Sequence, residues 1–61
     1  MKDYQIRVIE EKKELDKKLS KLDAFLTNDT PLEKPEYDRL KRQHRIMLLY
    51  SQVLQERIEN F

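Results

Sequence analysis

Tyr4, Arg7 and Glu11 follow one another at steps of three and four residues, and Tyr50 and Arg57 stand seven apart near the other end of the chain. On helices these spacings gather each set on one face. Aromatic rings beside guanidinium groups are suited to stacking a planar base and holding a phosphate. The plainer reading is that both tyrosines only pack one subunit against another. A second concentration of charge is Arg39-Leu40-Lys41-Arg42-Gln43-His44-Arg45. It reads as a solvated helix face balanced by Glu36, Asp38 and the acids of the first helix. The sharper reading is phosphate contact, with Arg supplying a planar fork and Gln a neutral hydrogen-bonding partner.

Other chemistry is excluded by what the chain lacks. It has no glycine, and phosphate-cradling loops and dinucleotide-binding turns need glycine where backbone must approach the ligand. With no cysteine and one histidine, neither a disulfide nor a zinc site within one chain is expected. No serine has a nearby acid–base partner that would make a nucleophilic triad. Glu10, Glu11 and Glu14 are interleaved with lysines and read as a solvated face rather than an acid/base pair. We expect no enzyme, no catalytic residue, no metal and no cofactor. His44, on an otherwise apolar seam, reads as a satisfied core histidine before it reads as a ligand. Lys12 and Ser51 read as a polar layer that sets register, as single polar seam residues do in coiled coils.

At 61 residues, 41% charged, the chain has room for one domain, residues 1–61, whose own core is small. Self-association is the stabilising device that remains. A formal net charge of +1 provides no broad field for nucleic acid or an anionic membrane, so duplex DNA is disfavoured. No apolar run approaches the ~20 residues of a membrane span. Met1-Lys2-Asp3 leads into a charged helix rather than a signal peptide, so a soluble cytoplasmic protein is expected.

The elements that must position these groups are two helices. From about Asp3 to Leu26, Val8, Leu15 and Leu22 recur every seven residues, with Gln5, Lys12, Leu19 and Leu26 on the alternate seam. Glu14 and Lys18 form a favourable i,i+4 pair. The helix is expected to end near Thr27-Asn28, with Asn28 as a left-handed cap. Thr30-Pro31-Leu32-Glu33 fits a capping box for one short turn. Pro35 disfavours helical geometry at Lys34, so the second helix is expected from about Pro35 or Glu36 to Asn60. Its seam is Tyr37, Leu40, His44, Met47, Ser51, Leu54, Ile58 and Phe61.

The fold class predicted is all-α: an antiparallel two-helix hairpin, about 3–27 and 35–60, assembling into a homo-oligomeric helical bundle. Laid antiparallel, Val8 meets Leu54, Leu15 meets Met47 and Leu22 meets Leu40. On the alternate seam Gln5 meets Ile58, Lys12 meets Ser51, Leu19 meets His44 and Leu26 meets Tyr37. Tyr4 then lies level with Arg57, Glu11 with Tyr50, and Lys18 with Gln43. Five consecutive apolar residues, Ile46-Met47-Leu48-Leu49-Tyr50, point all round the helix axis. One partner helix cannot cover them all, and Ile6, Ile9 and Val53 add to the surplus. Exposed apolar groups on more than one side are what a multimer of hairpins needs.

With these residues laid out, the chain resembles a family of small proteins of tailed bacteriophages, including crAss-like phages. The resemblance covers nearly the whole length. In helix 1 it rests on Tyr4-Gln5-x-Arg7-Val8-x-x-Glu11-Lys12-x-Glu14-Leu15 and Leu19-x-Lys21-Leu22-x-x-Phe25-Leu26. In helix 2 it rests on Leu40-x-x-Gln43-x-x-x-Met47-x-x-Tyr50-Ser51-x-x-Leu54-x-x-Arg57-Ile58-x-x-Phe61. The chain departs mainly in its connection, where two prolines stiffen the turn. The resemblance implies a phage protein acting in the host cytoplasm. By analogy with unrelated small phage proteins, it implies an anti-defence sponge that binds a cyclic nucleotide signal without cleaving it. Tyr4 and Tyr50 would then stack the base, and Arg7 and Arg57 would hold phosphate. Gln43 and Ser51 would hydrogen-bond base or ribose, and Lys12 would add charge. The alternatives are a helical adaptor that inhibits a host protein, and a nucleic-acid accessory protein using Arg39–Arg45.

Overall fold

The computed structural model describes residues 1–28 and 32–61. Helix α1 spans Asp3–Thr27 and helix α2 spans Lys34–Glu59, with no strand among the described residues. Three contacts establish that they run antiparallel: Tyr4 meets Phe61, Asp16 meets Ser51, and Asp23 meets His44. As one partner advances along the chain the other retreats, as a hairpin requires. Its principal extents are 45 × 14 × 13 Å.

Each helix end has a local cause. At the start of α1 the Gln5 side-chain oxygen accepts the Lys2 backbone N–H at 3.0 Å. The Lys2 ammonium has no acceptor to return, so only this half of a reciprocal cap is made. Asp3 in the first turn complements the positive end of the helix dipole. At the other end Thr27 donates its hydroxyl to the Ala24 carbonyl at 3.1 Å. Asn28 is extended, with φ −87° and ψ 157°, so the expected left-handed cap is not formed. With Thr27 satisfying a terminal carbonyl, the chain leaves the helix without a left-handed turn.

Helix α2 starts at Lys34, one residue ahead of the expected boundary. Glu33 is its extended N-cap residue, and its carbonyl accepts the Tyr37 N–H at 3.0 Å. Pro35 falls in the first turn, where backbone N–H groups have no intrahelical partner, so its missing donor costs nothing. The proline opens the helix instead of delaying it. Of the expected Thr30-to-Glu33 capping box, Thr30 and Pro31 lie outside the described residues. At the far end the Asn60 N–H bonds the Arg57 carbonyl at 3.1 Å, and its side-chain amide bonds the Glu56 carbonyl at 2.7 Å.

The seam is where the heptads put it. Leu54 (1% exposed), Val8 and Leu15 form the buried centre, with Met47 and Ile58 packed against them. Gln5, Lys12, Leu19, Leu22 and Leu26 of α1, and Tyr37, Leu40 and His44 of α2, are half-buried along the same line. Two further α1 residues, Ile9 and Asp16, are also half-buried. They stand seven apart, beside Val8 and Leu15, so α1 presents a wider face to α2 than a strict two-position seam.

This core is small. Of the five-residue apolar run only Met47 turns inward, while Ile46 is 60% and Leu49 54% exposed, and Leu48 and Tyr50 are exposed with them. Phe61, expected on the seam, is exposed and sets its ring against Tyr4.

Candidate functional site

The polar layer of the seam is a three-residue bridge. Lys12 donates its ammonium to Asp16 Oδ2 at 2.6 Å, and Ser51 donates its hydroxyl to Asp16 Oδ1 at 2.6 Å. Lys12 and Ser51 are thus at the same level, as the heptads predict, but Asp16 joins them. Ser51 is buried and Asp16 is 43% exposed. The Asp16 carboxyl is held below its usual 3.8, first by the hydrogen bond from Lys12, then by that from Ser51. Partial desolvation opposes them, and the Lys12 charge adds to the lowering. Asp16 was not among the residues singled out from sequence. Its position four after Lys12 and beside Leu15, on the side of Ile9, is the signal that marks it.

The remaining candidate residues lie on the surface. Tyr4 is exposed, its ring edge-on to Phe61 with centroids 5.8 Å apart at 80°. Gln5 Nε2 lies 3.5 Å from the Tyr4 hydroxyl. Arg7 follows one turn later and is exposed. On α2, Gln43, Tyr50 and Arg57 recur every seven residues along one exposed edge. The Gln43 amide lies 3.9 Å from the Met47 sulfur. Among the described residues no hydrogen bond, ion pair or ring contact joins Tyr4 or Arg7 to Tyr50 or Arg57. Within one hairpin the seven residues therefore form two exposed pairs, Gln43 on the α2 edge, and the internal Lys12–Ser51 layer.

The charges of the basic run divide in two. Arg39 forks onto Glu36 Oε2, with its Nε at 3.1 Å and Nη2 at 3.0 Å, and Lys41 lies 5.4 Å from the centre of the Tyr37 ring. Lys34 reaches Asp38 at 3.4 Å. Arg7, Arg42, Arg45 and Arg57 have no carboxylate partner among the described residues. On α1, Glu14 pairs with Lys17 at 3.5 Å instead of the expected Lys18. A step of three brings the two side chains onto neighbouring rows just as a step of four does.

A separate open groove of ≈ 340 Å³ is lined by Asp16, Leu19, Ser20, Asp23, His44 and Leu48. None of the seven candidate residues lines it. His44 is half-buried there with Nε2 3.3 Å from Asp23 Oδ1, so it has a partner across the hairpin. Two carboxylates on its rim make the groove unfavourable for a phosphate. Among the described residues there is no cluster of His, Cys, Asp and Glu able to hold a metal ion, and no helix long and apolar enough to cross a membrane.

No curated protein and no solved structure matches the chain. A family model does: the one described as Sequestin matches residues 2–60, taking in both helices and the connection between them. The match spans nearly the full length, and the chain belongs to the Sequestin family.

Proposed function

We propose that this protein sequesters a cyclic nucleotide signal without cleaving it, as an anti-defence protein of a phage acting in the host cytoplasm. The observation that carries the reading is that each helix shows an exposed tyrosine and, on the same face, an exposed arginine. Tyr4 and Arg7 on α1, and Tyr50 and Arg57 on α2, are exposed, and neither arginine has a carboxylate partner among the described residues. Unpaired guanidinium beside aromatic surface favours a ligand with phosphate and a flat base. The family's name, Sequestin, is consistent with ligand capture. Among the described residues no hydrogen bond, ion pair or ring contact joins the two pairs within one hairpin, and in this reading the pocket is assembled at a junction between copies in a homo-oligomer. Capture by binding alone works by mass action and needs tight affinity and abundant protein.

A thermal-shift panel of cyclic di- and trinucleotides and cyclic ADP-ribose isomers tests this directly. The expected result is stabilisation by one ligand, which heat denaturation then releases chemically unchanged. A cleaved product, or no response to any nucleotide, removes the reading. The second reading is a helical adaptor that inhibits a host protein, favoured by the exposed apolar residues Ile46, Leu49 and Val53. It predicts capture of one host protein and indifference to nucleotides.

A further inference from the structure

Ile46, Leu49, Tyr50 and Val53 follow the i, i+3, i+4, i+7 pattern and are 60%, 54%, 45% and 51% exposed. They form a second apolar stripe on α2, turned away from the seam of Met47, Ser51 and Leu54. A stripe of this kind normally faces another helix. Its order is self-complementary. When two copies are laid antiparallel about a two-fold axis between Leu49 and Tyr50, Ile46 of one meets Val53 of the other, and Leu49 meets Tyr50. This register covers all four apolar residues with four apolar residues. Sliding by one turn sets Val53 against Arg42 or leaves a residue of the stripe uncovered.

The same register has a consequence at each end. Arg42 stands eight positions before Tyr50, and Arg57 eight positions after Leu49, so the axis that pairs Leu49 with Tyr50 pairs Arg42 with Arg57. Both guanidinium groups are exposed and have no carboxylate partner among the described residues. Two like charges brought together at the rim of an apolar contact repel unless an anion lies between them. A phosphate suits two guanidinium forks.

We propose that two copies pair through this outer stripe of α2 in antiparallel two-fold fashion. Arg57 of one copy and Arg42 of the other then form an anion site at each end of the contact, incomplete in either chain alone. The pairing stands on the stripe. The assignment of the anion to the phosphate of a nucleotide rests on the function proposed above.

The native chain has no cysteine, so single introduced cysteines report the geometry. Ile46→Cys and Val53→Cys chains, mixed and treated with a short bismaleimide, are expected to give a mixed cross-linked dimer. Ile46→Cys alone is expected to give little. Self-linking of Ile46→Cys, or no linking in the mixture, overturns the antiparallel contact. For the anion site, dimer dissociation is measured with and without inorganic pyrophosphate at constant ionic strength. Pyrophosphate is expected to tighten the wild-type dimer roughly tenfold by relieving the repulsion. Arg42→Glu is expected to dimerise more tightly than wild type without pyrophosphate and to lose the response to it. A weaker Arg42→Glu dimer, or a wild type indifferent to pyrophosphate, overturns the anion site. A dimer that cross-links as described yet binds no nucleotide removes the nucleotide reading and leaves the pairing in place. Nucleotide binding by a monomer keeps sequestration but removes both the pairing and a pocket made between copies.

Discussion

Ser51 donates its hydroxyl to Asp16 across the hairpin at 2.6 Å, and these two residues lie 35 apart in the chain. Lys12 reaches the other oxygen of the same carboxylate. The bond fixes both the rotation and the sliding of one helix against the other, because it is polar, directional and placed among apolar layers that would tolerate small shifts.

Asp16→Ala leaves the buried Ser51 hydroxyl without its acceptor and removes the counter-charge of Lys12. A loss of about 1–3 kcal/mol is expected, the cost of a stranded buried polar group. In a domain this size each kcal/mol corresponds to roughly 4–8 °C in Tm. Asp16→Asn, which keeps an acceptor for Ser51, should lose less. Urea and thermal unfolding of the two variants at neutral pH make the comparison, and equal stability of Asp16→Ala and wild type would remove the bridge from the account.

The acid limb of stability follows from the same carboxylate. Its folded pKa is below 3.8, so the folded state binds this proton less readily than the unfolded chain does. The contribution is therefore fully present above about pH 4 and fades as pH falls through the lower folded value. The stability difference between wild type and Asp16→Asn should shrink on acidification from pH 5 to pH 2. Thermal melts across that range check it, and a difference that stays constant with pH contradicts the assignment.

Lys12→Met separates register from charge. Asp16 keeps its bond from Ser51 and its partial access to water, so the hairpin should hold its stability to within roughly 1 kcal/mol, the scale of a partly exposed ion pair. The depression of the Asp16 pKa should diminish, which NMR titration of the carboxyl reads directly. Outright loss of folding would contradict a layer that only sets register.

Ile46→Asp combined with Leu49→Asp should abolish assembly, since unpaired charge in an apolar contact costs several kcal/mol. Both residues face away from the hairpin seam, so helicity by circular dichroism should survive at the concentrations where light scattering reports a monomer. A wild type already monomeric at micromolar concentration would remove the need for assembly.

Arg57→Ala should weaken nucleotide binding by about 1–3 kcal/mol, the scale of one charge-assisted hydrogen bond, and Tyr50→Ala should weaken it together with the α2 contact that Tyr50 makes with Leu49 of the second copy. The terminal contact at Arg57 is made by its backbone carbonyl, so the alanine variant should fold normally. Calorimetric titration with the oligomeric state followed in parallel gives the answer. Undiminished affinity in an intact Arg57→Ala assembly overturns the shared Arg42–Arg57 site and moves the phosphate elsewhere in the basic run Arg39–Arg45.

Both helices and their facing residues were legible in the sequence. Val8, Leu15, Met47 and Leu54 repeat with helical period, and periodicity is a local property that needs no knowledge of the partner. The antiparallel arrangement was legible too, because two stripes of matched length joined by a short connection leave few other ways to meet. The surplus of apolar surface on α2 was visible in the five-residue run. The tertiary structure alone decided how far each helix is turned about its axis. That rotation brings Ile9 and Asp16 partly under cover and puts Asp16 between Lys12 and Ser51. Among the described residues it joins the tyrosine–arginine pairs of the two helices by no hydrogen bond, ion pair or ring contact. A heptad names the face that is buried but not the angle at which it sits. A few tens of degrees, set by the packing of Val8, Leu15 and Leu54, decide which flanking residues reach across. The terminal details escaped for a related reason: the extended Asn28, the start at Lys34 and the Glu14–Lys17 pair each depend on a choice among conformers close in energy. Composition ranks such choices, and the contacts of the folded chain make them.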